Sequence, residues 1–328
     1  MPKEFPSAFD WLMHSLHGII RACMSKKPTA IRSAAIFPGQ GSEYPGMAAC
    51  IREEVILHDI FSRISAVAGK DILAAALGEG PAGLTDVRVS QLALFGTSAC
   101  YWRLLAESER FDCLAGHSLG LYAALYASGA VSLEDCADII LKVQEAIEIT
   151  AGNRKGLMAS VVGLKAGEVE RICSEIGGVY VSNINSATQI VISGWEEHTR
   201  EACCAAMKAG ALGSRELPIS FPLHSPLMQG VEDIVIPLVA SIAIQEPAIP
   251  LLSHLDGKPL DAVGISRVLC GQLTQKVLWR DTVKGLRQGG IERFLEVGPS
   301  DVLSKLVRWI ERDSEILRAE ELVPCQSL

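Results

Sequence analysis

The stretch DCLAGHSLGLYAAL at 112–125 decides the fold of this 328-residue chain. It opens with a short apolar run typical of a buried strand, and its last five residues have a helical pattern. Between them, GHSLG at 116–120 fits G-x-S-x-G, a tight turn that pushes a serine hydroxyl out above a sheet. Many glycine-rich loops match this motif by chance. The strand before it and the helix after it favour Ser118 as a nucleophile, with the Leu119 N–H at a helix N-terminus where an oxyanion would form.

The rest of the chain indicates a mainly parallel sheet with a second, smaller domain. AAIF at 34–37 is a buried strand entering a glycine-rich turn, and helical patterns fill most of 46–110. Strands that alternate with helices predict an α/β fold with a parallel sheet. Residues 156–218 instead follow the order βαββαβ, the ferredoxin-like pattern. We therefore predict a large domain from 31–154 and 220–312, a small domain at 155–219 and a C-terminal tail at 313–328.

Residues 1–30 differ in character from the rest of the chain and are predicted to be an N-terminal extension. Apolar residues recur at helical spacing from Phe9 to Cys23, which indicates a helix that docks on a partner or a membrane surface. His14 and His17 interrupt the apolar run, which argues against a secretory signal. The alternative is that translation starts at Met24 and that the first 23 residues are a mis-called extension.

Composition excludes several classes of protein. Apolar residues make up 49% and charged residues 21%, so the chain can bury a core. The longest apolar run falls short of the roughly 20 residues that cross a bilayer. The net charge of −8 without a Lys/Arg block argues against nucleic-acid binding. Ten cysteines without CxxC spacing indicate neither a zinc ribbon nor a disulfide scaffold, and we expect free thiols in the cytoplasm.

A serine nucleophile needs a base, and three histidines follow Ser118. His198 lies in a charged run of a predicted helix, where a solvated face is expected. His254 comes just after a strand and before Asp256-Gly257, which indicates a turn residue. His224 lies in a loop flanked by prolines where the chain re-enters the large domain, and we predict that it is the base.

These motifs carry a resemblance to a known family. The chain resembles malonyl-CoA:acyl-carrier-protein transacylases and the acyltransferase domains of polyketide synthases. The matching pieces, in the family's order, are FPGQGS at 37–42, GHSLG at 116–120, YAAL at 122–125, NINS at 183–186, QIVISG at 189–194, HSPLM at 224–228, QL at 272–273 ahead of Trp279, and EVGP at 296–299. The resemblance implies an α/β-hydrolase-like large domain with a ferredoxin-like small one.

The resemblance also implies roles for individual residues. Ser118 would accept the acyl group, and His224 would be its base and then the acid for the leaving thiol. The N–H groups of Gln40 and Leu119 would form the oxyanion hole, and the backbone carbonyl of Gln272 would hold His224. The predicted substrate-binding residues are His117, Val143, Gln144 and Asn185. For Asn185 the alternative is a turn residue between two strands.

The implied substrates are a coenzyme A thioester and a phosphopantetheinylated acyl carrier protein, with no cofactor and no metal. The sequence departs from the malonyl-specific members at the arginine that grips the malonyl carboxylate, which is replaced by Val143, and Leu121 and Leu223 are further departures. Because a buried carboxylate without a partner is costly, Val143 predicts an uncharged acyl group. Two alternatives are that Lys142 turns inward or that Gln144 faces the pocket.

Other functions on the same site stay open. A hydrolase that releases acyl groups from carrier proteins would use the same serine and histidine, and some relatives that edit polyketide intermediates also lack the arginine. A serine esterase would need a carboxylate and an HGGG-type loop, and no such loop is present in the sequence. A non-catalytic docking subunit would not need Ser118, His224 and Gln40 together. For the acidic carrier protein we predict a basic helix face of Lys276, Arg280, Lys284 and Arg287.

Overall fold

The computed structural model describes residues 32–79 and 83–323. Its larger sheet has six strands in the order β10-β9-β1-β2-β7-β8. These strands are β1 (Ser33–Phe37), β2 (Cys113–Gly116), β7 (Leu251–Leu252), β8 (Pro259–Leu260), β9 (Arg293–Glu296) and β10 (Glu315–Arg318). All neighbours are parallel except β7 and β8, which are antiparallel. This arrangement confirms the predicted α/β class with a parallel sheet.

The centre of this sheet is apolar on both faces. All five residues of β1 and all four of β2 are buried, as expected for strands covered by helices on both sides. In the register of the pair, Phe37 lies beside Gly116, so the two strands end together. The turns after β1 and β2 therefore meet at one edge of the sheet.

Helices pack around the sheet in the order of the chain. They are α1 (Val55–Ala68), α2 (Ile72–Ala76), α3 (Val87–Leu105), α4 (Gly120–Ala127), α5 (Leu133–Ala151), α8 (Glu232–Ala240), α9 (Ala262–Gly271), α10 (Trp279–Gln288), α11 (Val302–Ile310) and α12 (Ala319–Leu322), with α6 and α7 in the small domain. Most of α3 is buried, and Asp86 caps it by accepting hydrogen bonds from the N–H groups of Arg88 and Val89. Ser132 caps α5 in the same way by accepting from the N–H of Asp135.

The small domain is a four-stranded antiparallel sheet with two helices on one side. Its strands are β3 (Gly156–Val162), β4 (Val179–Ile184), β5 (Gln189–Trp195) and β6 (Gly213–Glu216), in the order β4-β5-β3-β6. Its helices are α6 (Ala166–Ile176) and α7 (Glu196–Lys208). The chain order βαββαβ is the one predicted from the sequence, and the unit has an apolar core of its own.

Backbone hydrogen bonds tie the small domain to the large one. The N–H of Ile184 donates to the carbonyl of Val277, and the N–H of Val277 donates to the carbonyl of Ser182. A bulge in β4 between Val181 and Asn183 accompanies this contact. The end of β4 and the turn after it are therefore fixed beside the large sheet.

The sequence prediction of a C-terminal tail beginning at residue 313 was wrong over its described part. Residues 315–318 form β10, which pairs with β9 at the edge of the large sheet. This strand has only four residues and carries a charge at each end, so it lacks the apolar run by which buried strands are predicted. Residues 1–31, which include the predicted N-terminal extension, lie outside the described residues. Across the described ranges, no helix is both long and apolar enough to cross a membrane.

Candidate active site

Ser118 lies in a tightly packed turn between β2 and α4. Ser118 has a φ of 51°, in the left-handed region that non-glycine residues seldom adopt. A Cβ at Gly116 would overlap the backbone of Gly120, and a Cβ at Gly120 would overlap the carbonyl of Phe37. Both glycines of the motif are therefore required, Gly116 by the tightness of the turn itself and Gly120 by the close approach of the end of β1, as the sequence predicted for a nucleophile turn.

His224 faces this serine from the loop after the small domain. Its Nε2 lies 2.7 Å from Oγ of Ser118, and its Nδ1 lies 2.7 Å from the backbone carbonyl of Gln272. A carbonyl only accepts, so Nδ1 must donate, which leaves Nε2 as the acceptor for the serine proton. The geometry is that of a nucleophile with its base, oriented by a backbone group rather than by a carboxylate.

Burial determines the protonation state of this histidine. The imidazole of His224 is 2% exposed. Loss of water around the ring lowers its pKa from 6.5 to about 4, although the bond to Gln272 acts in the opposite direction. His224 is therefore neutral at physiological pH, as a general base must be.

Gln272 closes the site from α9. It is the residue at the C-terminal end of that helix, and its side-chain amide donates to the hydroxyl of Tyr122 at 3.2 Å. Tyr122 lies on α4, directly after the nucleophile turn. The residue whose carbonyl orients His224 is therefore fixed to the same helix that begins after Ser118.

A pocket of about 40 Å³ opens beside Ser118. Gln40 and Leu119, the predicted oxyanion-hole residues, both line it. The other residues of its wall are Gln91, Ser118, Tyr122, Ile140, Val143, Gln144, Ile147, Leu223, Gln272 and Leu273. At roughly 10–15 Å³ for each water-sized group, the pocket holds about three such groups. Its volume thus fits a short acyl chain.

Val143 and Gln144 both lie in the wall of this pocket, where α5 passes the nucleophile turn. Lys142 does not line it: the side chain is about half exposed, and its ammonium pairs with Asp138 at 2.7 Å. Of the two alternatives for position 143, the structure therefore favours an amide in the wall over an inward-turned lysine. No cationic side chain lines the described pocket.

Gln144 belongs to a hydrogen-bonded row that the sequence analysis missed. Nε2 of Gln91 donates to Oε1 of Gln144, and Nε2 of Gln144 donates to Oε1 of Glu148, each at 3.0 Å. Glu148 also accepts from Arg88 at 2.6 Å. Burial would raise the pKa of Glu148, but these hydrogen bonds outweigh it and the pKa is lowered. The signal in the sequence was Gln91, a polar residue directly before the apolar run at 92–95 of α3.

His117 and Asn185 are brought together, but they are not part of the pocket wall. Nε2 of His117 donates to Oδ1 of Asn185 at 3.0 Å, and the His117 ring packs edge-on against Trp279. Burial lowers the pKa of His117, so the ring is neutral. Neither residue lines the pocket beside Ser118. For Asn185 this placement favours the alternative of a residue in the turn between β4 and β5.

Comparison with known proteins identifies the family. A family model described as "Acyl transferase domain" matches residues 35–325. The chain belongs to this acyltransferase family. The acyltransferase is 33% identical over 285 residues to a malonyl CoA-acyl carrier protein transacylase of Salmonella typhimurium, with 84% of this chain and 92% of that protein covered. These findings confirm the resemblance stated from the sequence motifs.

Two further relatives match most of this chain. A polyketide biosynthesis protein of Burkholderia thailandensis, ThaF, is 32% identical over 281 residues; the match covers 84% of this chain but only 24% of that longer protein. The solved structure of the malonyl CoA-acyl carrier protein transacylase from Coxiella burnetii superposes with a TM-score of 0.86 at 31% identity, covering 91% of this chain and 97% of that one.

His254 lies closer to the site of the acyltransferase than the sequence indicated. We expected a turn residue, but its ring is fully buried and centred 6.3 Å from the ring of His224. Burial lowers its pKa well below the usual value, so it adds no positive charge beside His224. The Asp256-Gly257 turn that follows His254 is the reason why its burial was not predicted from the sequence.

Three residues of the predicted basic face, Arg280, Lys284 and Arg287, lie on α10, and the fourth, Lys276, lies outside that helix. Lys276 precedes α10, which begins at Trp279, and it pairs with Glu170 of the small domain. Arg280 pairs with Asp281 at 2.8 Å, and Arg287 donates to the carbonyl of Ile291. The prediction was wrong for Lys276 because the helix begins later than the spacing of the basic residues implied.

Proposed function

We propose that this chain transfers a short, uncharged acyl group from a coenzyme A thioester to the phosphopantetheine thiol of an acyl carrier protein. The observation that carries the proposal is the hydrogen-bonded series of Ser118, His224 and the Gln272 carbonyl beside a small pocket. Family membership supports the reaction class. The name of the Salmonella relative, a malonyl CoA-acyl carrier protein transacylase, supports the two substrates.

In the first half-reaction Oγ of Ser118 attacks the thioester carbonyl while its proton passes to Nε2 of His224. The N–H groups of Gln40 and Leu119 stabilise the negative charge that develops on the carbonyl oxygen. The intermediate collapses by breaking the C–S bond, and the imidazolium returns its proton to the leaving coenzyme A thiolate. The product is an ester on Ser118 with a neutral His224.

The second half-reaction reverses the order with a different thiol. The carrier-protein thiol gives its proton to Nε2 of His224 and attacks the ester carbonyl. The same N–H groups stabilise the oxyanion, and the proton passes from His224 to Oγ of Ser118 as the ester bond breaks. Because each half-reaction starts and ends with neutral His224, its lowered pKa suits both.

The wall of the pocket supports an uncharged acyl group. Val143 occupies the position where the family's malonyl-specific members place an arginine, and the lining contains no cation. A carboxylate there would lose water without gaining an ion pair, which is strongly unfavourable.

One observation also suits the alternative of a hydrolase that releases acyl groups from carrier proteins. The pocket has room for about three water-sized groups, so a short acyl chain leaves space for a water near Ser118. Both reactions share the ester intermediate and differ only in the group that attacks it.

One experiment on the acylated enzyme distinguishes the transferase from the hydrolase. The enzyme is incubated with acetyl-CoA, its mass is measured, and the adduct is chased with and without phosphopantetheinylated carrier protein. We expect an adduct of about 42 Da that is absent in Ser118→Ala and that moves to the carrier protein. Release as free acid at the same rate without carrier protein would favour the hydrolase, and an adduct of normal yield on Ser118→Ala would refute the assignment of the nucleophile.

A further inference from the structure

We propose that the pocket selects acyl groups that carry a hydroxyl, with the side-chain carbonyl of Gln91 as the acceptor that recognises it. This inference rests on the proposed function and names the substrate class of that site. Gln91 is 6% exposed, lines the pocket beside Ser118, and has no partner for its Oε1 within the described residues.

The direction of the hydrogen-bonded row fixes which atom of Gln91 is left over. Glu148 is a carboxylate held by Arg88, so it can only accept, and the amide nitrogen of Gln144 must face it. That orientation turns Oε1 of Gln144 toward Gln91. The side-chain nitrogen of Gln91 must therefore be the donor in the hydrogen bond between them. The ion pair at the far end therefore excludes an amide flip and leaves the side-chain carbonyl oxygen of Gln91, a residue of the pocket wall, without a partner.

An unpaired buried acceptor distinguishes acyl chains by whether they supply it with a hydrogen-bond donor. A hydroxyl on the acyl chain donates to Oε1 of Gln91, whereas a plain alkyl chain offers no donor and leaves this buried oxygen unpaired. A site built to bond a substrate hydroxyl can reject the analogue that lacks it far more strongly than an apolar pocket rejects a methylene.

The same arrangement disfavours a carboxylate. A carboxylate has no proton to donate, so it would meet the lone pairs of Gln91 directly, with Val143 where a cation would be needed. The nearest cation along the row is Arg88, whose guanidinium is already paired with Glu148. Substrates of about three groups beyond the carbonyl fill the pocket, which points to 3-hydroxypropionyl, with 3-hydroxybutyryl one methyl group larger.

Matched pairs of coenzyme A thioesters test the proposal. We would measure kcat/KM for acylation of Ser118 with propionyl against 3-hydroxypropionyl, and with butyryl against 3-hydroxybutyryl, by coenzyme A release. The expected preference for the hydroxylated member is about 10-fold or more. The ratio of two substrates on one sample does not depend on the fraction of folded enzyme.

Gln91→Met keeps the length of the side chain but removes the acceptor, and we expect the ratio to fall to about 1. Lys142→Met, on the outer face of α5, serves as the control and should keep the ratio of the unaltered enzyme. Equal kcat/KM values within each pair on the unaltered enzyme, or a ratio that persists in Gln91→Met, would overturn the role of Gln91 and leave the transferase intact. Failure of every thioester to acylate Ser118 would overturn the transferase itself, and this inference with it.

Discussion

Ser118 and His224 both hold a left-handed backbone, with φ of 51° and 56°, and their side chains meet in a 2.7 Å hydrogen bond. Each such conformation costs on the order of 1–3 kcal/mol in a residue other than glycine. The only other described non-glycine residue with positive φ is Ser300. Two of the three strained positions in the described chain thus lie at the proposed catalytic pair, where rigid turns aim the two groups at each other.

This strain predicts that Ser118→Gly is more stable than Ser118→Ala. Both variants lose the hydroxyl and its bond to His224, but only glycine accepts a φ of 51° without cost. We expect the free energy of unfolding of Ser118→Gly to exceed that of Ser118→Ala by about 1 kcal/mol. Paired denaturant titrations measure the difference, and a less stable glycine variant would show that the turn is not strained.

His224→Ala should slow acylation of Ser118 by about 10²–10⁴-fold, the usual contribution of a general base. The reason is that Nε2 of His224 is the group bonded to Oγ, and no other described side chain is hydrogen-bonded to that oxygen. Rapid-quench measurement of the acyl adduct checks the rate. His254→Ala is a useful comparison, since its ring lies beside that of His224; a larger loss there than in His224→Ala would move the base to His254.

The pH dependence of acylation follows from the lowered pKa of His224. Since burial brings that pKa to about 4, the base stays neutral as pH falls from 8 toward 5. We therefore expect kcat/KM for an uncharged acyl-CoA to stay level across this range and to fall only below about pH 5. If half of the rate were lost near pH 6.5, the ordinary pKa of histidine, the pKa of His224 would not be lowered by burial.

The same shift makes the fold less stable in mild acid. Below pH 6.5 the unfolded chain protonates this histidine, whereas the native state does not until about pH 4, so stability falls as pH falls through that window. Protonation of His224 in the unfolded state lowers the free energy of unfolding by about 3 kcal/mol at most. His224→Asn removes the titration and keeps a donor for the Gln272 carbonyl. Its unfolding midpoint should fall less between pH 6.5 and 4.5 than that of the unaltered chain, and parallel curves would argue against the shift.

The parts of the fold that were predicted from the sequence have strong local signals. Strands β1 and β2 are continuous apolar runs that end in glycine-rich turns, and the small domain alternates helix and strand patterns at regular length. The pairing of Ser118 with His224 was inferred from chain order and from the family motifs, and the structure places their side chains in contact.

The parts that were missed depend on contacts between residues far apart in the chain. Gln91 meets Gln144 across 53 positions, and nothing in the local spacing announces that bond. His254 is buried by the elements that close over it, although the residues on either side of it in the sequence are typical of a turn. Strand β10 is held at the sheet edge partly by the ion pair of Arg293 with Glu315, which follows from the fold rather than from the strand's own residues.

Val143 lies in the pocket wall on α5 and should set the charge of the acyl group that the enzyme accepts. On the unaltered protein, acetyl-CoA should acylate Ser118 with a higher kcat/KM than malonyl-CoA, because the pocket offers the malonyl carboxylate no cation. Val143→Arg places a guanidinium where it can pair with that carboxylate, and Gln91 offers it the unpaired Oε1 as a second acceptor. The preference should then shift toward malonyl by about 10-fold or more.

The added volume is the competing effect, because the pocket holds only about 40 Å³ and arginine is much larger than valine. Val143→Met is the matched control: it adds a long uncharged chain and should slow both substrates without moving the ratio toward malonyl. A ratio that already favours malonyl strongly on the unaltered protein would refute the inference from Val143. A shift of equal size in Val143→Met would show that shape, and not charge, sets the choice of acyl group.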